Sequence, residues 1–187
     1  MRTPRYRARY VLIIVTRALL LADTHIGGRH RDRRLPAHVI ELAAKADVIL
    51  HAGDITDARV LDELAVFAPV HAVLGNNDVG LMLPARRLVV IGGCTVAMVH
   101  DSGASGGRTR RLRHWFPAAD AVVFGHSHVP WHEIDRRAGD GHEQHQINPG
   151  SPTERRRAPH PTVAWLCVDD GTVTSVEHVD IDRSARG

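Results

Sequence analysis

The chain has 187 residues, 43% of them hydrophobic, which is enough for one folded domain with a sizeable core. Aromatic residues make up only 4%, so Val, Leu, Ile and Ala must build that core. A net charge of +3 suits an anionic ligand, but the sequence lacks the dense basic stripe of a dedicated nucleic-acid binder.

At the start, Arg2, Arg5, Arg7 and Arg9 precede the apolar run Tyr10-Val11-Leu12-Ile13-Ile14-Val15. Charge followed by an apolar run is the general shape of a secretory signal. Here Thr16-Arg17 interrupts the run, which is too short to span a bilayer. Residues 1–16 are therefore read as a basic extension, disordered or from a mis-called start. The domain occupies 17–182, with a short tail over 183–187.

Residues 18–22 form a short buried strand. Residues 35–46 read as a helix, with Leu35, Val39, Leu42 and Ala46 at helical spacing and Pro36 in its first turn. A second strand covers 47–52. Asp57 can cap a helix over 58–68, whose inner face is Val60, Leu61, Leu64 and Phe67. A third strand covers 70–74. This βαβαβ opening predicts parallel strands with right-handed crossovers.

The second half is richer in strands. Residues 87–91 and 95–99 flank Gly92-Gly93, a hairpin signal. Residues 108–115 read as a short basic helix, with Arg110, Arg111 and Arg113 on its surface. A strand over 121–124 follows. Strands over 131–135 and 144–147 flank Gly139-Asp140-Gly141, and strands over 163–168 and 173–179 flank Asp169-Asp170-Gly171. The expected fold is a single α/β domain: a four-layer α/β/β/α sandwich of two mixed sheets with helices outside. Cys94 and Cys167 lie in apolar runs and read as buried free thiols in a reducing cytosol, so a cytoplasmic protein is expected.

Polar residues gather where strands end. Asp23-Thr24-His25 follows the first strand, Gly53-Asp54 the second and Gly75-Asn76-Asn77-Asp78 the third. His100-Asp101 follows the 95–99 strand, and Gly125-His126-Ser127-His128 the 121–124 strand. Open α/β sheets hold their ligands at carboxyl ends of strands. Any one of these stretches is ordinary turn chemistry; together and in this order they converge on one point. Oxygen and imidazole donors without thiolate suit Mn, Fe, Co, Ni or Zn. Asp23, His25, Asp54, Asn76, His100, His126 and His128 are too many for one tetrahedral zinc, which takes about four ligands. They suit two ions about 3.5–4 Å apart, bridged by a shared carboxylate.

The ordered set Asp-x-His, Gly-Asp, Gly-Asn, His and Gly-His-x-His resembles the calcineurin-like metallophosphoesterase superfamily. "ADTH", "LHAGDI", "GNND", "GHSH" and "NPGS" are more narrowly similar to its small bacterial and archaeal phosphodiesterases, the YfcE-type family, over roughly residues 17–180. The resemblance implies that Asp23, His25 and His128 bind one metal, that Asn76, His100 and His126 bind the other, and that Asp54 bridges them. It implies two divalent transition-metal ions, Mn foremost, and hydrolysis of a small phosphodiester by a metal-bridging hydroxide. Asp101, Asn148 and Ser151 are candidates to support the ligands from behind, although NPGS is equally good turn chemistry. A homo-oligomer, dimer or tetramer, is also implied, though no sequence feature specifies an interface.

Two departures stand out. Many superfamily members carry His directly after the ligand Asn, where it can protonate the leaving group. This chain has Asn77, which can only hydrogen-bond a phosphoryl oxygen. That predicts a slower enzyme that prefers good leaving groups, since general acid catalysis contributes about 10²–10⁴-fold. Asp101 stands where the family usually has Gly. Arg29 and His30 lie in a loop able to reach a phosphate, whereas Arg155-Arg156-Arg157 reads as a mobile surface loop. The alternative function is a non-catalytic metal-binding scaffold of the same fold, like the retromer subunit. A basic nucleic-acid-binding module has only the modest charge behind it and is not specifically indicated.

Overall fold

The computed structural model describes residues 15–27 and 32–182. Most of the expected basic extension, the Arg29–His30 pair and the 183–187 tail lie outside them. Thr16, assigned to the extension, already belongs to the first strand.

In chain order the elements are β1 (Thr16–Leu21), α1 (Ala37–Ala43), β2 (Val48–His51), α2 (Arg59–Ala65), β3 (Val70–Ala72), β4 (Arg86–Ile91) and β5 (Cys94–Val99). Then come α3 (Arg108–Trp115), β6 (Ala121–Val123), β7 (Trp131–Arg136), β8 (Glu143–Asn148), β9 (Thr162–Asp169) and β10 (Thr172–Asp180). Each expected element is present; strand ends differ by a residue or two, and α1 and α2 each end three residues earlier than expected. One sheet has the order β10-β9-β1-β2-β3, the other β4-β5-β6-β8-β7. Strands β1, β2 and β3 are mutually parallel, as are β5, β6 and β8, while β4, β7, β9 and β10 run antiparallel to their neighbours. Both sheets are therefore mixed.

Strict alternation explains the layers. Ala18, Leu20 and Ala22 point between the sheets, with Leu50, Val96, Met98, Val123, Ile147 and Leu166. Leu19 and Leu21 point the other way, onto Val39, Leu42, Val60 and Leu64 of α1 and α2. On the second sheet Ala97, Val99, Val122 and Phe124 face Leu112 and Phe116, the latter just past α3. A strand buried on both faces favours apolar side chains throughout, which is why the runs in β1 and β6 read as continuously apolar. The four-layer α/β/β/α order follows directly.

Two details differ from expectation. Phe67 is exposed, because α2 ends at Ala65 and the chain turns before Phe67 reaches the core. Cys167 is only half-buried, whereas Cys94 is fully buried and its thiol is pushed up to about 11, chiefly by desolvation; both are free. Asp57 does serve α2, its carboxylate accepting the Arg59 amide at 3.0 Å. Among the described residues no helix is long and apolar enough to cross a membrane.

His51 on β2 is fully buried. Its Nε2 lies 3.1 Å from the Thr24 hydroxyl, and its Nδ1 has no hydrogen-bond partner among the described residues. Desolvation pushes its pKa from 6.5 down to about 4. Between those values the unfolded chain holds a proton that the folded protein refuses, so stability falls as pH drops through that window. The full effect is on the order of 3 kcal/mol. Thermal melts of metal-free protein from pH 7 to 4 should show this decline, and His51→Gln should flatten it. An equal slope in the variant would assign the decline to other groups.

Candidate metal centre

Parallel strands deliver their carboxyl ends to one edge of the sandwich. There β1 delivers Asp23 and His25, β2 Asp54, and β3 Asn76 and Asn77. From the other sheet come His100 after β5, His126 and His128 after β6, and Asn148 at the end of β8. Five of these residues hold a positive φ: Asp23 (55°), His25 (43°), Asp54 (57°), His126 (70°) and His128 (59°). The left-handed region disfavours side chains, though Asp, Asn and His tolerate it best. Each sharp turn swings a side chain back over the strand end, and the concentration of such turns here is characteristic of a functional site.

The donor atoms form two groups that share a carboxylate. In the first, His128 Nε2 lies 3.3 Å from Asp23 Oδ1 and 3.2 Å from His25 Nε2. In the second, Asn76 Oδ1 lies 3.1 Å from His100 Nε2 and 2.9 Å from His126 Nδ1. Asp54 Oδ2 stands between them, 3.5 Å from His25 Nε2 and 3.4 Å from His100 Nε2. All the residues named as ligands from the sequence are thus brought together. Asp23, Asp54, His100 and His128 are buried, whereas Asn76, Asn77 and His126 are exposed, so the group opens to solvent on that side.

The histidine tautomers test whether this set suits cations. His100 Nδ1 is 2.8 Å from the Ala52 carbonyl, and His128 Nδ1 is 2.8 Å from the Glu154 carbonyl. A carbonyl only accepts, so both Nδ1 atoms donate and a neutral ring presents its Nε2 lone pair. Those lone pairs face Asn76 Oδ1, Asp54 Oδ2 and Asp23 Oδ1, which are acceptors themselves. Acceptors in mutual contact call for positive charge among them, and N/O donors fit divalent transition metals. Without metal, protons are the only substitute. Burial opposes a charge on His100, but the Asp54 hydrogen bond and the Asp23 and Asp54 charges outweigh it and raise its pKa. Burial prevails at His25 and lowers it. For Asp54, burial acts upward, yet hydrogen bonds from His100 and Asn77 hold the carboxyl well below the usual carboxylate range.

Around this group lies a scaffold. Asn77 donates its backbone amide to Asp54 Oδ1 at 2.8 Å and its side-chain amide to Oδ2 at 2.7 Å. Asn148 donates to the Gly125 carbonyl at 2.8 Å and to the Ser127 hydroxyl at 3.1 Å, tying down the loop that carries both histidines. The Ser151 hydroxyl donates to the Asp23 carbonyl at 2.7 Å. Asp101 is exposed, and its carboxylate accepts the Gly103 amide at 2.7 Å, shaping its own loop. Arg29 lies outside the described residues.

Three supports were missed from the sequence. Asp78 accepts the backbone amides of Asp54, Thr56 and Gly75 at 3.0, 2.7 and 2.7 Å, holding the left-handed Asp54 turn in place. Thr153 donates to the Thr24 carbonyl at 2.7 Å. Glu154, besides its contact with His128, pairs with Arg33 at 2.8 Å. The only signal for Asp78 was its place at the end of GNND, which reads as turn chemistry. The other two contacts cross more than a hundred residues of sequence.

A family model described as the calcineurin-like phosphoesterase superfamily domain matches residues 17–171. A probable metallophosphoesterase from Methanothermobacter thermautotrophicus is 34% identical over 155 residues, covering 80% of this chain and 84% of that protein. Among solved structures, a predicted phosphoesterase from Streptococcus pneumoniae superposes with a TM-score of 0.66 at 20% identity, covering 90% of this chain and 91% of that one. Zinc-complexed Vps29 from Entamoeba histolytica gives 0.64 at 21% identity, over 89% of this chain and 99% of that one. At those identities the structural likeness is one of fold.

Two substitutions test the scaffold. Asp78→Ala strands three backbone amides around Asp54 and should lower stability by about 2–4 kcal/mol in urea unfolding. It should also weaken metal binding by about 10–100-fold in calorimetric titration. Gly75→Ala should do the same by steric means, because a methyl group there would overlap the Asp54 amide nitrogen and carboxylate. Wild-type metal affinity in either variant would mean that Asp54 is positioned by other contacts.

Proposed function

The chain belongs to the calcineurin-like phosphoesterase superfamily, and on that premise we propose that it is a phosphodiesterase working with two divalent transition-metal ions. The observation that carries this reading is the convergence of nitrogen and oxygen lone pairs on both sides of Asp54 Oδ2. Asp23, His25 and His128 would hold one ion and Asn76, His100 and His126 the other, with Asp54 between them. Mn is the first choice, with Ni, Co, Fe and Zn as alternatives. Such ions, when bound, supply an activated water nucleophile at neutral pH and neutralise phosphoryl charge.

The chain's own residues do the rest. Asn77 fixes both Asp54 oxygens, so its first role is to position the bridging carboxylate; contact with a phosphoryl oxygen would come second. An amide cannot protonate a leaving group, which favours esters with acidic alcohols. Asn148 and Ser151 keep the ligand loops from drifting apart. The substrate, a small phosphodiester, would approach over the exposed Asn76, Asn77 and His126. A cytoplasmic homo-oligomer, dimer or tetramer, completes the proposal. The scaffold alternative shares the fold of Vps29, and a scaffold without metal would leave the filled donor positions unexplained.

Metal-stripped protein reloaded with Mn, Ni, Co, Zn or Mg should hydrolyse bis(p-nitrophenyl) phosphate faster than p-nitrophenyl phosphate. Asp54→Asn should lower diester turnover by at least about 10²-fold. Two bound ions per chain without turnover of either ester would favour the scaffold.

A further inference from the structure

Arg156 combines three features that the metal centre does not explain. The Arg155 carbonyl accepts the Ala158 amide at 2.7 Å, closing a tight turn whose first central residue is Arg156. Arg156 has φ 44° there, a position that favours glycine. Its exposed guanidinium donates to the His126 carbonyl at 3.3 Å, so a strained surface turn sends an arginine to a ligand loop. Asp, Asn or His would tolerate this backbone better, and Gly would adopt it freely. Strain that persists at a site opening is a pointer to function.

Two neighbouring side chains are already engaged. The neighbouring Glu154 carboxylate pairs with Arg33, and the Arg155 guanidinium donates to the Pro159 carbonyl at 3.0 Å. Among the described residues Arg156 has only the His126 carbonyl as a hydrogen-bond partner, which takes one of its five N–H donors. His126 belongs to the exposed side of the metal centre, and the guanidinium is tied to its backbone carbonyl, at the rim of that opening. Its planar fork matches phosphate oxygens two at a time.

We propose that Arg156 forms an anion subsite beside the metal centre, selecting phosphodiesters that carry a second phosphate next to the reacting one. The subsite rests on the phosphoesterase reading above, and two readouts separate their failures. The first compares the p-nitrophenyl ester of thymidine 5′-phosphate with the same ester bearing a 3′-phosphate. Metal-loaded wild type should favour the second by about tenfold in KM. That ratio should fall towards one in Arg156→Gly and be partly kept in Arg156→Lys. Arg110→Ala, which removes the same charge from the exposed face of α3, should keep it. The second readout needs no turnover. Calorimetry on metal-loaded protein should show tighter binding of pyrophosphate than of inorganic phosphate, a preference lost in Arg156→Gly. Unchanged selectivity in both assays overturns the subsite. Absence of ester hydrolysis with pyrophosphate selectivity intact would overturn the phosphodiesterase reading alone.

Discussion

Lone pairs pressed against lone pairs repel, and the centre of this protein is built from such contacts. Asp54 Oδ2 sits between His25 Nε2 and His100 Nε2, and the Asn76 oxygen sits between His100 and His126. Backbone carbonyls at Ala52 and Glu154 fix the tautomers of His100 and His128, so the rings cannot relieve the repulsion by turning an N–H inward. Positive charge resolves the contact, as a metal ion or as a proton on His100. Much of the fold near this point serves to hold an unfavourable arrangement open for it.

That arrangement has a conformational cost. Five of the gathered residues occupy the left-handed region, at about 1 kcal/mol apiece for a typical side chain. Asp78 offsets part of this by collecting three amides around the Asp54 turn, Asn148 braces the histidine loop after β6, and Ser151 braces the loop after β1. These braces lean on the buried core between the sheets, where Leu20, Leu50, Met98 and Ile147 leave no solvent gap. The rigid sandwich lets the loops be strained, and the strain aims the side chains. Arg156 extends this pattern to the outer rim of the site.

Much of this was legible in the residues. Runs such as Leu19-Leu20-Leu21 and Val48-Ile49-Leu50 can only be strands covered on both faces, and each was followed by Asp, Asn or His. The ligand set rested on that regularity, reinforced by a resemblance whose motifs are specific. Other features were not legible. Phe67 looked like the fourth position of a helical face, but the helix had already ended. Asn77 was read as a substrate contact, and its second task, holding Asp54, showed only in the structure. Arg156 looked like one charge in a surface run of three.

The sequence by itself determined the order and type of the elements, because period-two and helical patterns are local and survive without knowledge of neighbours. It also determined that polar residues stand at the ends of parallel strands, since their positions follow from where the apolar runs stop. Only the tertiary structure decided which oxygen faces which nitrogen, which tautomers His100 and His128 hold, and which side of the site is open. Those facts depend on contacts such as Asp23 with Ser151 or His128 with His25, more than a hundred residues apart in the chain. No local pattern encodes such a distance; it exists only once two sheets have packed face to face and brought their strand ends to a common edge.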